Sequence, residues 1–236
     1  MQYDYEYLIF DADHTLIDFY ADERAAFRRT FQKYGAAFTE ADIEACRRLS
    51  DSAWADAGLN DVHLPAVQDV FHTRYFSHLP GLVERIKKVV PMSGANEEIA
   101  EYFVGQLHVS AIPLGEALST FKRLSEKYKT CIATNGITKM QQARLAEFLP
   151  YTYRLFVSQE LGTIKPNTGF FKAMVKSLKT DVEKCLFIGD SFSSDVAGCN
   201  AVGMDCIWLN PLGQKLPENL TVKAEIARVE QLLAFL

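Results

Sequence analysis

Two aspartates spaced one residue apart, Asp11 and Asp13, follow directly on the apolar segment Tyr7-Leu8-Ile9-Phe10. Burying either without a partner costs several kcal/mol, on the order of the effective penalty for an unpaired ion, so something must compensate them. Further along the chain stand Thr134-Asn135-Gly136, Lys165-Pro166, Gly189-Asp190 and Asp195. The set is an aspartate pair, a hydroxyl with backbone donors, a lysine and further carboxylates. Acids gather in this way around a hard divalent cation such as Mg²⁺, which takes oxygen ligands from one or two carboxylates and a substrate phosphate. Asp11 and Asp190 are the expected side-chain ligands. Asp195, about one turn beyond, is expected to orient a metal-bound water.

Within Asp11-Ala12-Asp13 the labour divides by geometry. Residues i and i+2 at a strand end point to the same side, so Asp11 can attack a phosphorus atom while Asp13 reaches the leaving oxygen. A carboxylate nucleophile would give an aspartyl-phosphate and split hydrolysis into two easier steps. Asp13 would protonate the leaving alkoxide and then deprotonate the hydrolytic water. Thr134, the amides around Asn135 and Gly136, and Lys165 would hold the phosphoryl oxygens.

Short apolar runs must position these groups. Tyr7–Phe10 is the first, then Thr130–Ala133, Leu155–Val157, Cys185–Ile188 and Cys206–Leu209, each reading as a strand buried on both faces. Helical stripes lie between them: Leu118, Phe121, Leu124 and Tyr128, then Phe170, Phe171, Met174, Val175 and Leu178. The alternation predicts an α/β fold with a parallel sheet, whose ligands bind outside the carboxyl ends of the strands. Asp11, Thr134 and Asp190 each follow such a run. From about Tyr20 to Val109 no strand pattern occurs. Phe27, Phe31 and Tyr34 form a stripe there, and Thr39-Glu40-Ala41-Asp42 resembles a capping box. The expected domains are a catalytic core of residues 1–19 and 110–236 and a helical insertion of residues 20–109 between the first and second strands. A short C-terminal helix is expected over Val229–Phe235.

The 236 residues suit one large domain or a domain with an insertion, and a hydrophobic content of 48% can fill its core. A formal net charge of −5, with no basic run, argues against a nucleic-acid polymer or an anionic membrane as partner. No apolar stretch approaches the ~20 residues of a membrane span, and the N-terminus, with two acids and no basic region, does not read as a signal peptide. The five cysteines have no CxxC spacing and sit largely in apolar runs, so they are expected to be reduced, which fits a cytoplasmic protein.

At these residues the chain resembles the haloacid dehalogenase-like hydrolase superfamily. FDADHTL is similar to its first motif, DxDx[TV]; ATNG resembles the second, IKPNTGFF the third and GDSFSSD the fourth. The motifs stand in family order and span nearly the whole chain. The resemblance implies a Rossmann-like core, an aspartyl-phosphate, Mg²⁺ with the Asp13 backbone carbonyl as a further ligand, and a helical cap between motifs one and two. His14 departs from the glycine common at that position, so the backbone must turn there without glycine's freedom. In this, in TNG followed by Gln141-Gln142-Ala143-Arg144-Leu145, and in CIWLNP, the chain resembles pyrimidine nucleoside monophosphate 5′-nucleotidases. The implied substrate is a small phosphorylated metabolite, a nucleoside monophosphate.

Blander roles compete at single residues. Thr134 could cap the following helix as well as bind an anion, and Asp195 could be a helix-dipole partner. His14 is expected to be a positioning residue or to face the cap. Phe19 (with Tyr20), Trp54 and Arg74 are candidate substrate contacts, stacking on a base or reaching a phosphate; packing within the insertion is an equal expectation for Trp54 and Arg74. Alternative functions are hydrolysis of another ester such as phosphoglycolate or a sugar phosphate, haloacid dehalogenation, and non-catalytic metabolite binding. A departing halide needs no proton and no metal, so Asp13 and Asp190 argue against dehalogenation. A non-catalytic protein would be expected to lack a motif residue, and all are present.

Overall fold

In the computed structural model, residues 4–109 and 111–236 are described. Residues 1–3 of the acidic N-terminal segment, and residue 110, where the second core segment was expected to begin, lie outside them. The chain divides into two compact units, Met1–Asp18 with Pro113–Leu236, and Phe19–Ile112.

The first unit is built on a parallel sheet of six strands. In chain order these are β1 (Tyr7–Phe10), β2 (Lys129–Thr134), β3 (Arg154–Val157), β4 (Cys185–Gly189), β5 (Asp205–Leu209) and β6 (Ala224–Ile226). The spatial order β3-β2-β1-β4-β5-β6 puts β1 in the middle, where the winding of the sheet reverses. The five apolar runs are the first five strands. The sixth has only the residues Ala-Glu-Ile, too short and too mixed to show a period, and it pairs at the sheet edge.

Both faces of β1 are buried, as its unbroken apolar run requires. Tyr7 and Ile9 join Phe170, Phe171, Met174, Phe187 and Trp208 on one side. On the other, Phe10 meets Phe121 edge-on at 5.1 Å, and Phe121 meets Phe148 at 5.6 Å. Phe10 stands opposite Ile132 of β2 and Ile188 of β4, so β4 runs on to Gly189 and β2 to Thr134 beyond the end of β1. All five cysteines are free and buried.

The second unit is helical: α1 (Phe19–Lys33), α2 (Glu40–Asp56), α3 (Pro65–Arg74), α4 (Leu79–Val89) and α5 (Asn96–Leu107). Phe19 opens α1 rather than closing the preceding segment, and Asp22 in the first turn accepts the Ile112 N–H at 2.7 Å, which ties the far end of the unit to its start. Thr39 caps α2 in a reciprocal box with Asp42. Phe27 stacks on Phe103 at 4.6 Å, and Phe31, Leu82, Val83 and Ile86 complete the interior.

The remaining helices belong to the sheet unit: α6 (Ala117–Ser125), α7 (Thr138–Arg144), α8 (Ser158–Leu161), α9 (Thr168–Leu178), α10 (Ala197–Val202) and α11 (Leu232–Phe235). The expected C-terminal helix is split into a 3₁₀ turn, Val229–Gln231, and α11. Among the described residues no helix is long and apolar enough to cross a membrane.

Candidate active site

The backbone continues the sheet by one bond past β1, the Asp11 N–H donating to Ile188 O at 2.8 Å. It then closes one tight turn in which the Ala12 carbonyl accepts the N–H groups of Thr15, Leu16 and Ile17. His14 adopts φ +60 in this turn, the left-handed region that glycine fills without strain, and its N–H donates to Ile17 O at 2.8 Å. A non-glycine residue there costs about 1–3 kcal/mol. The turn leaves Asp11 8% exposed and carries Asp13 beyond the strand.

Lys165, 1% exposed, is the group that Asp11 meets: its Nζ lies 2.6 Å from Asp11 Oδ1 and 2.7 Å from Asp195 Oδ1. Asn135 places it, accepting the Lys165 N–H at 2.8 Å and donating to the Lys165 carbonyl at 3.0 Å. Asp195 arrives on a turn of π-helix, Phe192–Val196, that folds back over the end of β4, where Asp195 also accepts the Ser191 N–H at 3.1 Å. Gly189 makes this possible through its lack of bulk: a Cβ there would lie 2.2 Å from Asp195 Oδ2. Asp190 follows, its carbonyl fixed by Trp208 Nε1 at 2.7 Å and its carboxylate 3.5 Å from Thr15 Oγ1.

Three carboxylates here face one ammonium. Burial raises the Asp11 pKa to about 7, Lys165 opposing and Asp195 adding to the shift. Asp190 is pushed well above the ordinary carboxylate value by burial and then by Asp11 and Asp195. Burial alone would discharge Lys165, but Asp11 and Asp195 outweigh it and hold its pKa above the usual lysine value. Three clustered carboxylates, with the ionisation of Asp11 and Asp190 disfavoured by burial and by their acidic neighbours, form a set that could hold a cation. Asp11, Asp190 and Asp195 each offer a carboxylate oxygen within 4.8 Å of the others. With oxygen donors only, the set suits a hard ion such as Mg²⁺ or Ca²⁺ rather than a softer metal. Both oxygens of Asp195 are engaged, Oδ1 by Lys165 and Oδ2 by the Ser191 N–H, whereas Lys165 meets Asp11 through Oδ1.

Asp13 stands in a separate network. Arg144 Nη2 lies 2.7 Å from its Oδ1, and Gln141 Nε2 donates to its Oδ2 at 3.1 Å. Burial would raise its pKa, but the Arg144 guanidinium prevails and holds the carboxyl below its ordinary value. Gln141 Nε2 also donates to Thr134 Oγ1 at 2.8 Å. Thr134 thus accepts from Gln141, and its own hydroxyl donates to the Asn135 carbonyl at a long 3.4 Å. The Gly136 N–H, expected among the phosphoryl donors, is taken by Ser158 Oγ at 2.9 Å.

The structure thus brings together Asp11, Asp13, Thr134, Asn135, Lys165, Asp190 and Asp195, with His14 on the same turn. Phe19, Trp54 and Arg74 belong to the helical unit. There Trp54 packs edge-on against Phe71, Tyr75 and His78 at 5.9, 5.3 and 5.4 Å. Phe19 lies 6.4 Å from the Tyr20 ring, whose face Arg47 covers at 4.4 Å, and Arg74 is exposed. The sequence reading assigned no role to Gln141, Arg144, Ser158 or Trp208. Gln141 and Arg144, three apart on α7, share one helix face, a signal that periodicity could have supplied.

The haloacid dehalogenase-like hydrolase family model matches residues 5–203. The chain is 30% identical over 215 residues to the pyrimidine 5′-nucleotidase PynA of Streptococcus pneumoniae, covering 88% of this chain and 84% of that protein. It is 28% identical to the pyrimidine 5′-nucleotidase YjjG of Escherichia coli, over 97% of this chain and 98% of that one. Among solved structures, the magnesium-bound HAD-hydrolase YfnB of Bacillus subtilis superposes with a TM-score of 0.78 at 22% identity, covering 98% of each chain. A motif-bearing parallel sheet of this order and a family match over most of its length lead to one conclusion: the chain belongs to the haloacid dehalogenase-like hydrolases.

Proposed function

We propose that the protein is a Mg²⁺-dependent phosphomonoesterase that forms an aspartyl-phosphate on Asp11 and acts on pyrimidine nucleoside 5′-monophosphates. The observation that carries this reading is the pair of separately held carboxylates: Asp11 gripped by Lys165, and Asp13, two residues on, gripped by Arg144 and Gln141. The first suits a nucleophile held in one orientation. The second is oriented to carry a proton for the leaving oxygen, which loss of a halide would not require, and it must take that proton up against the Arg144 guanidinium, which favours its ionised form. The nucleotidase assignment is supported by the names of PynA and YjjG.

In the first step the Asp11 carboxylate attacks phosphorus, the bond to the ester oxygen breaks, and Asp13 gives that oxygen its proton. In the second, a water attacks phosphorus, Asp13 takes the water's proton, and the bond to Asp11 breaks to regenerate the carboxylate. Thr134 Oγ and Lys165 Nζ donate to the phosphoryl oxygens, whose charge redistributes during transfer. Asp11, Asp190 and the Asp13 carbonyl would hold Mg²⁺, with Asp195 orienting a water on it, and the ion would supply neutralising charge to phosphate and nucleophile. The protein would work as a cytoplasmic enzyme on a free metabolite.

The test is phosphate release from UMP, dUMP, TMP, purine monophosphates, phosphoglycolate and sugar phosphates, with and without Mg²⁺. Pyrimidine nucleotides should lead, and Asp11→Asn should abolish turnover while leaving the circular dichroism spectrum unchanged. Absence of a pyrimidine preference would remove the nucleotidase reading, and full activity in Asp11→Asn would remove the mechanism.

A further inference from the structure

The buried pair on α7 carries out no step of the chemistry just described, yet its side chains reach both Asp13 and Thr134. Arg144 is 1% exposed and Gln141 is fully buried. Arg144 Nη2 reaches Asp13 Oδ1 at 2.7 Å, while its Nη1 donates to Gln141 Oε1 at 3.1 Å. That bond fixes which way the amide faces, and a flipped amide would press its oxygen against the Asp13 carboxylate. The Gln141 amino group divides its two protons between Asp13 Oδ2 at 3.1 Å and Thr134 Oγ1 at 2.8 Å. Both oxygens of Asp13 are therefore held from one helix, and the same amide fixes the threonine.

Gly136 supplies an independent observation. Its φ is not positive, so it is not required for the turn. A Cβ there would lie 3.0 Å from Gln141 Nε2 and 3.1 Å from Gln141 Cγ. The glycine of Thr134-Asn135-Gly136 is the space in which the Gln141 amide sits.

We infer that Arg144 and Gln141 are positioning residues for the acid–base step, holding the Asp13 carboxylate at the leaving oxygen and tying it to the phosphoryl-binding Thr134 hydroxyl. This rests on the proposed role of Asp13. A buried guanidinium with two fixed donors suits the task, because its planar fork holds an acceptor's direction as well as its charge, which a lysine ammonium does not.

Leaving-group chemistry gives the test. An alkyl phosphate such as a nucleotide needs a proton on its departing oxygen, whereas 4-nitrophenyl phosphate releases a stable phenolate and needs little help. Steady-state rates on both esters would be measured for the Mg²⁺-loaded parent, Asp13→Asn, Arg144→Met, Arg144→Lys, Gly136→Ala and the double variant Asp13→Asn/Arg144→Met. Arg144→Met should lower kcat on the nucleotide on the order of 10²-fold, the cost of a misplaced catalytic group, with KM little changed and the aryl ester nearly spared. Gly136→Ala should show the same selectivity more weakly, Arg144→Lys should recover part of the loss, and the double variant should be no slower than Asp13→Asn. Should Arg144→Met fail to fold, Arg144→Lys carries the same comparison of esters. Equal loss on both esters in the Arg144 variants, or losses that multiply in the double variant, would overturn the inference while a selective Asp13→Asn left the acid–base reading intact. An Asp13→Asn that slowed both esters equally would overturn that reading, and this inference with it.

Discussion

At the scale of single residues, the site depends on where side-chain bulk is absent as much as on its charges. Gly189 has no unusual backbone conformation, but Asp195 lies where its Cβ would be. Gly189→Ala should therefore push Asp195 off Lys165, costing about 1–3 kcal/mol as overpacking does and removing most of the activity. Urea unfolding with a phosphate-release assay checks both, and a variant of parental stability and rate would contradict the packing argument. His14 shows the converse, a side chain where glycine would be easier, held at φ +60 by the bond from its N–H to Ile17. The sequence motif showed that the turn lacked its usual glycine. The direction of the backbone and the partner of the N–H came from the fold.

At the scale of elements, α1 buries a carboxyl that the sheet unit's chemistry does not use. Glu23 is 2% exposed, and burial, with the Asp51 charge adding, raises its pKa from 4.5 to about 7 despite a hydrogen bond from Ser50 and the charges of Arg47 and Arg24. The unfolded chain gives up this proton near 4.5, whereas the folded chain keeps it to about 7. Between those values the folded state binds more protons, so stability falls as pH rises through the window and is restored below it. A displacement of that size is on the order of 3 kcal/mol when the group is ionised. Glu23→Gln should accordingly stabilise the helical unit at pH 8 by up to about that amount and make little difference at pH 4. Paired thermal unfolding curves at the two pH values decide it, and an equal effect at both would exclude ionisation as the cause. The stripe of Phe27 and Phe31 and the Thr39 capping box were legible in the sequence because they are local. The position of Glu23 facing Ser50 on α2 was not, since helix pairing is a tertiary event.

At the scale of the whole molecule, the sheet unit concentrates negative charge at one end of β1 and β4, and a bound cation should stabilise it in proportion to its occupancy. With [Mg²⁺] at about 100 times the dissociation constant, the gain is about 2.7 kcal/mol. The thermal midpoint of the parent should rise with Mg²⁺ and return on chelation, whereas Asp190→Asn should show little response. Midpoints indifferent to Mg²⁺ in the parent would remove the cation from the account. This measurement needs no substrate, so it separates the metal site from the nucleotide reading.

What the sequence determined by itself was the set of strands and the residues at their ends. Continuous apolar runs such as Tyr7–Phe10 and Cys185–Ile188 can be satisfied only by burial on both faces, and a residue following such a run is carried to the carboxyl edge. β6 escaped because three residues at an edge carry no period. What only the tertiary structure decided was how each charge is answered. That Lys165 serves both Asp11 and Asp195, that Arg144 and Gln141 serve Asp13, and that Gly136 and Gly189 are spaces for neighbouring side chains all depend on distances between segments remote in sequence. Periodicity places a residue on a face, but the register of β1 between β2 and β4 sets which face it meets.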